Sequence, residues 1–276
     1  MTSPQPILVA HLFPEVLDSL VTLLAGLPEA MWQQPTACQG WSVKDVALHL
    51  LGVEVGILSR KRDAFTPPGR PIQRQEELVA LVNDLNATWV RATRRLSPRL
   101  LCDLLRFTGA QANDYFQALD PHALGDAVSW AGPQPAPVWL DLAREYTERW
   151  HHQQHIRDAV GRPGLKNHKF LAPVIDTFVR AWPHAYRHVQ APQGALVSLT
   201  IEGDAGGQWF LVRQGGRWKL RLEIDRQPDA GATLDENLAW RLFTAGASPQ
   251  QALAGAKITG DRVLGRKILD MISIIA

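Results

Sequence analysis

Residues 148–164, ERWHHQQHIRDAVGRPG, carry one glutamate and three histidines within eight residues, followed by a Gly-Arg-Pro-Gly stop. Nine histidines occur in the chain, so a third of them sit here. On an α-helix, positions four apart share a face, so Glu148 and His152 point the same way. His155, seven residues from Glu148, returns to nearly the same azimuth, and His151 lies one step to the side. Such a face can aim one carboxylate oxygen and one or two imidazole nitrogens at a common point. That donor set suits zinc, nickel, iron or manganese. A further ligand must come from another segment, and His49, within GWSVKDVALHLLGVEVGILSRK, is the candidate. Asp45, Gly52 and Gly56 fall on the same helical face as His49. The two glycines leave room beside it for a neighbouring helix or for a ligand.

A second reading competes. A histidine near a helix C-terminus complements the helix dipole without any metal. Trp139, Leu142, Ala143, Tyr146 and Trp150 form one apolar stripe, and Glu148 projects opposite it, as on a solvated face. Spacing alone leaves both readings open.

The elements that would position these residues are mostly helices. Pro14 opens one through EVLDSLVTLLAG, which stops near Gly26. Ser42 with Asp45 fits a capping box with Asp in place of Glu, and a long helix follows it. EELVALVNDLNATWVRATRRL has helical spacing and a basic last turn, and the pattern restarts at Ser97-Pro98. The Pro-rich AGPQPAP leads into the His-rich helix, and KFLAPVIDTFVRAWPHAYRHV reads as a linking helix. Long helices with short connections predict an antiparallel bundle. The texture changes near residue 190. ALVSLTIEG, GQWFLVRQ and RWKLRLEI alternate between Gly-rich turns, as in a strand meander. DENLAWRLFTAG, SPQQALAGA and DRVLGRKILDMISII then read as helices. The expected fold class is α+β in two domains, a helical bundle over 1–190 and a small α+β domain over 191–276.

Bulk properties exclude several classes. Formal net charge is +2 without a long basic run, which argues against nucleic acid as a partner. No stretch approaches the run of about 18 apolar residues that a membrane helix needs. The N-terminus lacks the pattern of a signal peptide. Two cysteines, Cys38 and Cys102, with no CxxC, argue against a zinc knuckle or a disulfide framework and for a reducing cytoplasm. Ten tryptophans suit cores and pocket walls. Trp41 and Trp150, which flank the two motifs, read as core rather than as substrate-stacking groups. A monomer and a homodimer are both compatible with this chain.

GWSVKDVALHLLGVE and ERWHHQQHIRDAVGRPG together resemble the two signatures of the mycothiol-dependent maleylpyruvate isomerase family, within the DinB/YfiT-like metal-binding superfamily. VSLTIEGDAGGQWFLV, DENLAWRLFTAG and ITGDRVLGRKIL resemble the small sterol-carrier-like domain that follows the bundle in such proteins. The resemblance implies an up-down four-helix bundle with a divalent metal, zinc first among the candidates, held by His49, Glu148 and His152. One departure stands out. The family pattern has an aspartate three residues after the second histidine, where this chain has His155, which could compete as a ligand, paired with His151. The implied activity is that of a metal-dependent enzyme using a low-molecular-weight thiol, mycothiol or an equivalent, as an isomerase or S-transferase. The ion would present the thiol as thiolate to an electrophilic small molecule. The second domain would supply a cation for a substrate carboxylate, with Arg241 as the catalytic candidate and Arg221 or Arg226 behind it. The alternatives are a metal-dependent hydrolase, which needs no thiol, and a non-catalytic protein that binds a lipid or another small molecule.

Overall fold

The computed structural model describes residues 2–66 and 74–274 and is α+β, helical in its N-terminal part with a sheet in its C-terminal part. It divides into two compact units that interleave along the chain. One comprises Val9–Asp120 and Glu145–Gly164. The other takes the N-terminal segment up to Leu8, Pro121–Arg144, and the chain from Leu165 onward.

The first unit is built from α1 (Phe13–Ala25), α2 (Val43–Ile57), α3 (Gln75–Thr93), α4 (Pro98–Ala118) and the larger part of α5 (Val138–Ala159). The starts of these helices follow their sequence signals. Pro14 lies in the first turn of α1. Ser97 Oγ accepts from Leu100 N at 3.3 Å at the head of α4, with Pro98 next in the chain. At the head of α2, Ser42 N donates to Asp45 Oδ2 at 3.1 Å and Asp45 N to Ser42 Oγ at 3.3 Å. This is the capping box expected there. Asp45 also receives a two-pronged contact from Arg94, through Nε at 2.8 Å and Nη2 at 3.1 Å. Burial pushes the Asp45 carboxyl upward, but the Arg94 guanidinium and the Ser42 hydrogen bonds outweigh it and hold the group below the usual carboxylate range. A shared core ties the helices together. It joins Leu20 and Leu24 of α1, Val46, Leu48 and Leu51 of α2, Val90 of α3, Leu101 and Leu105 of α4, and Ile156 of α5. The room beside Gly52 is taken by α3. A Cβ there would meet Trp89 Cδ1 at 2.7 Å, and Trp89 Nε1 donates to Leu48 O at 2.8 Å.

Helix α5 is buried on its polar side as well as its apolar one. Trp150 and Tyr146 are fully buried, and so are Gln153 and Gln154. Gln153 Nε2 donates to Val16 O at 2.9 Å, and Arg157 Nη2 to Ser19 Oγ at 2.7 Å. Arg149 lies between two carboxylates. It donates to Glu54 Oε1 and Oε2 at 2.9 and 3.1 Å and to Glu145 Oε2 at 2.7 Å. Phe13 and Phe116 cover its guanidinium at 5.4 and 5.1 Å. A solvated polar face, which the amphipathic pattern allowed, is not what forms. Arg149, Gln153 and Arg157 of α5 find protein partners instead of water.

The second unit holds a five-stranded sheet in the order β5-β4-β3-β6-β7. The strands are β3 (Leu196–Glu202), β4 (Gly207–Gln214), β5 (Arg217–Arg221), β6 (Ala230–Asp235) and β7 (Lys257–Gly260). β3, β4 and β5 are the expected meander, closed between β4 and β5 by Gly215 and Gly216 at φ 59° and 74°. β6 pairs parallel to β3 and antiparallel to β7. Neither β6 nor β7 was apparent from the sequence, because AGATLD and KITG are short and small-residued. A two-stranded ribbon, β1 (Leu124–Ala127) with β2 (Pro135–Pro137), also belongs to this unit. So do α6 (His168–Val179), α7 (Trp182–Ala185), α8 (Glu236–Phe243), α9 (Pro249–Gly255) and α10 (Arg262–Arg266). Helices α6 and α7 lie before residue 190 yet pack here. Phe178 meets Phe243 at 6.3 Å between ring centroids, and Tyr186 meets Trp218 at 5.4 Å. A division at the change in sequence texture therefore differs from the compact units by these two helices, by the segment up to Leu8 and by Pro121–Arg144. The helix expected over 261–275 is shorter. After α10 comes a 3-10 turn, Lys267–Asp270, then a non-helical end. There Ser273 N donates to Phe243 O at 2.8 Å and Ser273 Oγ to Phe178 O at 2.9 Å. Residue 275 of that expected helix lies outside the described residues. No helix among the described residues is long and apolar enough to cross a membrane.

Replacing Arg149 with Met leaves Glu54 and Glu145 buried without their cation, and the expected loss is about 3–5 kcal/mol in urea unfolding. The Asp45→Asn variant is expected to lose about 1–2 kcal/mol at neutral pH, because Arg94 is half exposed and the pair is partly screened. The folded carboxyl titrates below its unfolded value of about 4, so its contribution is present above that pH and fades as pH falls through the folded value. The gap between wild type and variant in unfolding midpoint is therefore expected to narrow in acid. A gap that stays constant into acid would contradict the pairing.

Candidate metal centre

Two of the contacts described above set this site. The Asp45 capping box fixes the first turn of α2, and one turn further on lies His49, 4 % exposed. The Arg149 ion cluster ties α5 to Glu54 of α2 and holds the neighbouring Glu148 against that helix. His49 Nε2 lies 3.0 Å from Glu148 Oε1, and His152 Nε2 lies 3.2 Å from the same oxygen. The His49 and His152 rings are 4.6 Å apart and inclined at 67°. The three donor atoms all lie within 4.8 Å of one another. Bonds of about 2.0–2.2 Å at tetrahedral angles separate such donors by roughly 3.3 Å, so these three fit one zinc-sized ion with little adjustment. A three-ligand set leaves a coordination position open, as catalytic sites do.

The electrostatics favour donors over protons. Burial would raise the Glu148 carboxyl. The hydrogen bonds from His152 and His49 and the neighbouring His151 prevail, and the group sits well below the usual carboxylate range. Burial pushes His152 down to about 3, with His151 and His49 adding to it and Glu148 opposing. At neutral pH the site thus presents a carboxylate and a neutral imidazole, the forms that bind metal. His151 turns away from the cluster, its Nδ1 on Thr147 O at 2.9 Å, and burial lowers its pKa. Trp41 leans on the His49 ring at 5.2 Å between centroids and packs on the core.

Of the four residues expected as ligands, His49, Glu148 and His152 come together. His155 does not join them. Its Nδ1 lies 3.1 Å from Cys38 Sγ, on the other side of His152. Cys38 also lies 3.8 Å from His152 Nδ1. Burial pushes the Cys38 thiol up to about 11, against a hydrogen bond with Thr36 and with the Glu148 charge adding to the rise. The absence of a CxxC argues only against a zinc knuckle and says nothing of a lone cysteine beside histidines. The available signal was position, since Cys38 stands in the short loop that runs straight into the His49 helix and must travel with it. Arg241 lies in the last turn of α8 with its guanidinium 4.4 Å from the Trp240 ring centroid. Arg226 pairs with Asp229, and Arg221 donates to Leu220 O at 2.8 Å.

Comparison with known proteins agrees with this architecture. The uncharacterized protein Rv0036c of Mycobacterium tuberculosis (strain H37Rv) is 26% identical over 211 residues, 76% of this chain and 77% of its own length. The uncharacterized protein MT0041 of strain CDC 1551 matches to the same extent. The crystal structure of the mycothiol-dependent maleylpyruvate isomerase superimposes with a TM-score of 0.52 at 12% identity, covering 91% of each chain. A histidine-to-alanine variant of that enzyme superimposes equally well, at 11% identity. At such identity the likeness speaks for the fold alone. The family model described as the mycothiol maleylpyruvate isomerase N-terminal domain matches residues 13–157, a span that contains His49, Glu148 and His152. The chain belongs to the mycothiol maleylpyruvate isomerase N-terminal domain family.

Proposed function

We propose that this chain is a metal-dependent enzyme of the thiol-dependent isomerase type, with His49, Glu148 and His152 as the ligands of a divalent ion, most simply zinc. The observation that carries the reading is the convergence of three donor atoms, from helices 99 residues apart in sequence, on one half-buried point. Membership of a family named for a mycothiol-dependent isomerase supports a low-molecular-weight thiol, mycothiol or an equivalent, as cosubstrate. A bound ion would supply the positive charge that lowers the pKa of a thiol in the open position.

The chain's own residues do the rest. His49 and His152 each offer a ring nitrogen, and the Glu148 carboxylate adds the one acidic group among the three donors. The Arg149 ion cluster holds Glu148 in place from the adjacent position on α5, and Trp41 shields the His49 ring from water. The reaction conserves every atom. The thiolate sulfur bonds to one carbon of a double bond conjugated to a carbonyl, and the π pair moves onto that carbonyl. Rotation follows about what is now a single bond. The pair then returns, the carbon–sulfur bond breaks, and the thiolate leaves an alkene of the other geometry. In the transferase variant of this chemistry the carbon–sulfur bond persists, and the family favours the isomerase. Arg241 enters the proposal as the cation for a substrate carboxylate.

Untagged protein, freed of loose ions by gel filtration, is expected to retain metal by mass spectrometry. His49→Ala is expected to lose about one ion per chain while circular dichroism keeps the wild-type helix signal. Metal-free wild type that stays metal-free after incubation with zinc, nickel and manganese would sink the reading. With a conjugated cis-enone acid as substrate, isomerisation is expected to need both metal and added thiol, and to fall at least about 100-fold in His49→Ala. Isomerisation that ignores the added thiol would remove the thiol from the proposal. Arg241→Ala is expected to raise KM for a carboxylate substrate while leaving kcat in place, and an unchanged KM would remove Arg241 from the proposal.

A further inference from the structure

His152 has two ring nitrogens, and only Nε2 serves the cluster with Glu148 and His49. Its Nδ1 faces Cys38 Sγ at 3.8 Å. The His155 Nδ1 approaches the same sulfur at 3.1 Å. Sulfur and both nitrogens lie within 4.8 Å of one another. A tetrahedral zinc with bonds of about 2.3 Å to sulfur and about 2.05 Å to nitrogen separates these donors by roughly 3.5 Å, which the two observed sulfur–nitrogen distances bracket. His152 and His155 are three apart on α5, so their rings stand on one face, 5.4 Å between centroids.

The cysteine is held in position independently of the histidines. Residues 35–42 form a small closed hairpin, bridged between Pro35 and Ser42. Thr36 N donates to Trp41 O at 3.0 Å and Trp41 N to Cys38 O at 2.9 Å. The Thr36 hydroxyl donates to Trp41 O at 2.8 Å and accepts from Cys38 N at 3.2 Å. Gly40 supplies the left-handed residue of the turn, at φ 77°. This loop ends on the capping serine of α2, so the sulfur is placed by the same element that places His49.

We propose that Cys38, His152 and His155 form a second metal site, for zinc or a softer ion, sharing His152 with the first. The two sites use opposite nitrogens of the ring, so neither takes a donor atom from the other. On binding, the Cys38 thiol would give one proton to solvent, and the His152 ring would give its remaining N–H proton to solvent if both of its nitrogens are engaged at once. Each ion then keeps an anionic ligand of its own, the Glu148 carboxylate or the Cys38 thiolate, and the donor sets differ in softness. The inference shares His152 with the proposed function but does not rest on the chain being an enzyme.

Cobalt(II) is the probe, because thiolate ligation gives it an intense near-ultraviolet charge-transfer band that imidazole and carboxylate do not. Titration of the metal-free wild type is expected to show that band and to saturate at about two ions per chain. The band is expected to persist in His49→Ala and in Cys102→Ser, to vanish in Cys38→Ser, and to weaken at least about fivefold in His155→Gln. Circular dichroism of each variant shows that it is folded. Should Cys38→Ser or His155→Gln fail to fold, alkylation of Cys38 in the wild type, followed by mass spectrometry, gives a second reading. Zinc beyond the first equivalent is expected to slow it at least about tenfold. No band in the wild type, binding that stops at about one ion, a band that survives Cys38→Ser, or alkylation indifferent to zinc would overturn the second site. If cobalt still binds without the band and is lost in His49→Ala, the first site stands while the second falls. If no cobalt binds at all, both fall.

Discussion

The buried cation Arg149 organises the helical unit. Its guanidinium reaches the Glu54 carboxylate on α2 with a two-pronged contact and closes on Glu145 one turn back along α5. Charges of this kind are expensive to bury, and the cost is offset only when every prong is paired. The pairing therefore specifies one rotation of α5 about its axis and one height against α2. A different rotation would strand two carboxylates in the core. Glu148 and His152 follow from that choice, because they sit one residue before Arg149 and three after it. The distances of 3.0 and 3.2 Å at the cluster are a result of that registry rather than its cause.

The cluster in turn explains why the usual reading of amphipathic helices fails on α5. The apolar stripe from Leu142 to Trp150 is real and buried, but on the opposite side Glu145, Arg149 and Gln153 are buried too. Polarity along a helix reports a demand for partners. Water is the commonest partner, yet here α1 and α2 supply Ser19, Val16 and Glu54. Nothing in the local pattern of ERWHHQQH distinguishes these cases, because the partners are more than 90 residues away in sequence.

Much of the architecture was nevertheless legible. The Ser42 and Ser97 caps, Pro14 and the Gly215–Gly216 turn act through neighbours in the chain, and each lies where its local chemistry placed it. The meander could be read because large β-branched and aromatic residues alternate along it. What could not be read depends on distant pairing. β6 lies between β3 and β7 because its small residues allow close approach, as at Gly231, where an added Cβ would meet Ser198 Oγ at 2.5 Å. At the site, His49, Glu148 and His152 could be named from motif spacing, whereas the neighbourhood of Cys38 and His155 could not. There a loop residue and a helix turn 117 residues apart in sequence are brought together by the packing of distant segments.

The order of segments along the chain has a consequence for how this molecule can be divided. The helical unit is interrupted by Pro121–Arg144, which belongs to the sheet unit, and α5 belongs to both. No single cut yields two self-sufficient pieces. A fragment ending at Gly164 would carry the histidines and Glu148 but also a ribbon and the first turns of α5 stripped of the partners they pack with. A fragment starting at Leu165 would lack the N-terminal strand-side segment, in which Thr2 O accepts from Leu222 N. During synthesis the residues of the candidate centre are all made before the sheet exists, yet the helix that carries two of them is anchored at its start in a unit completed last.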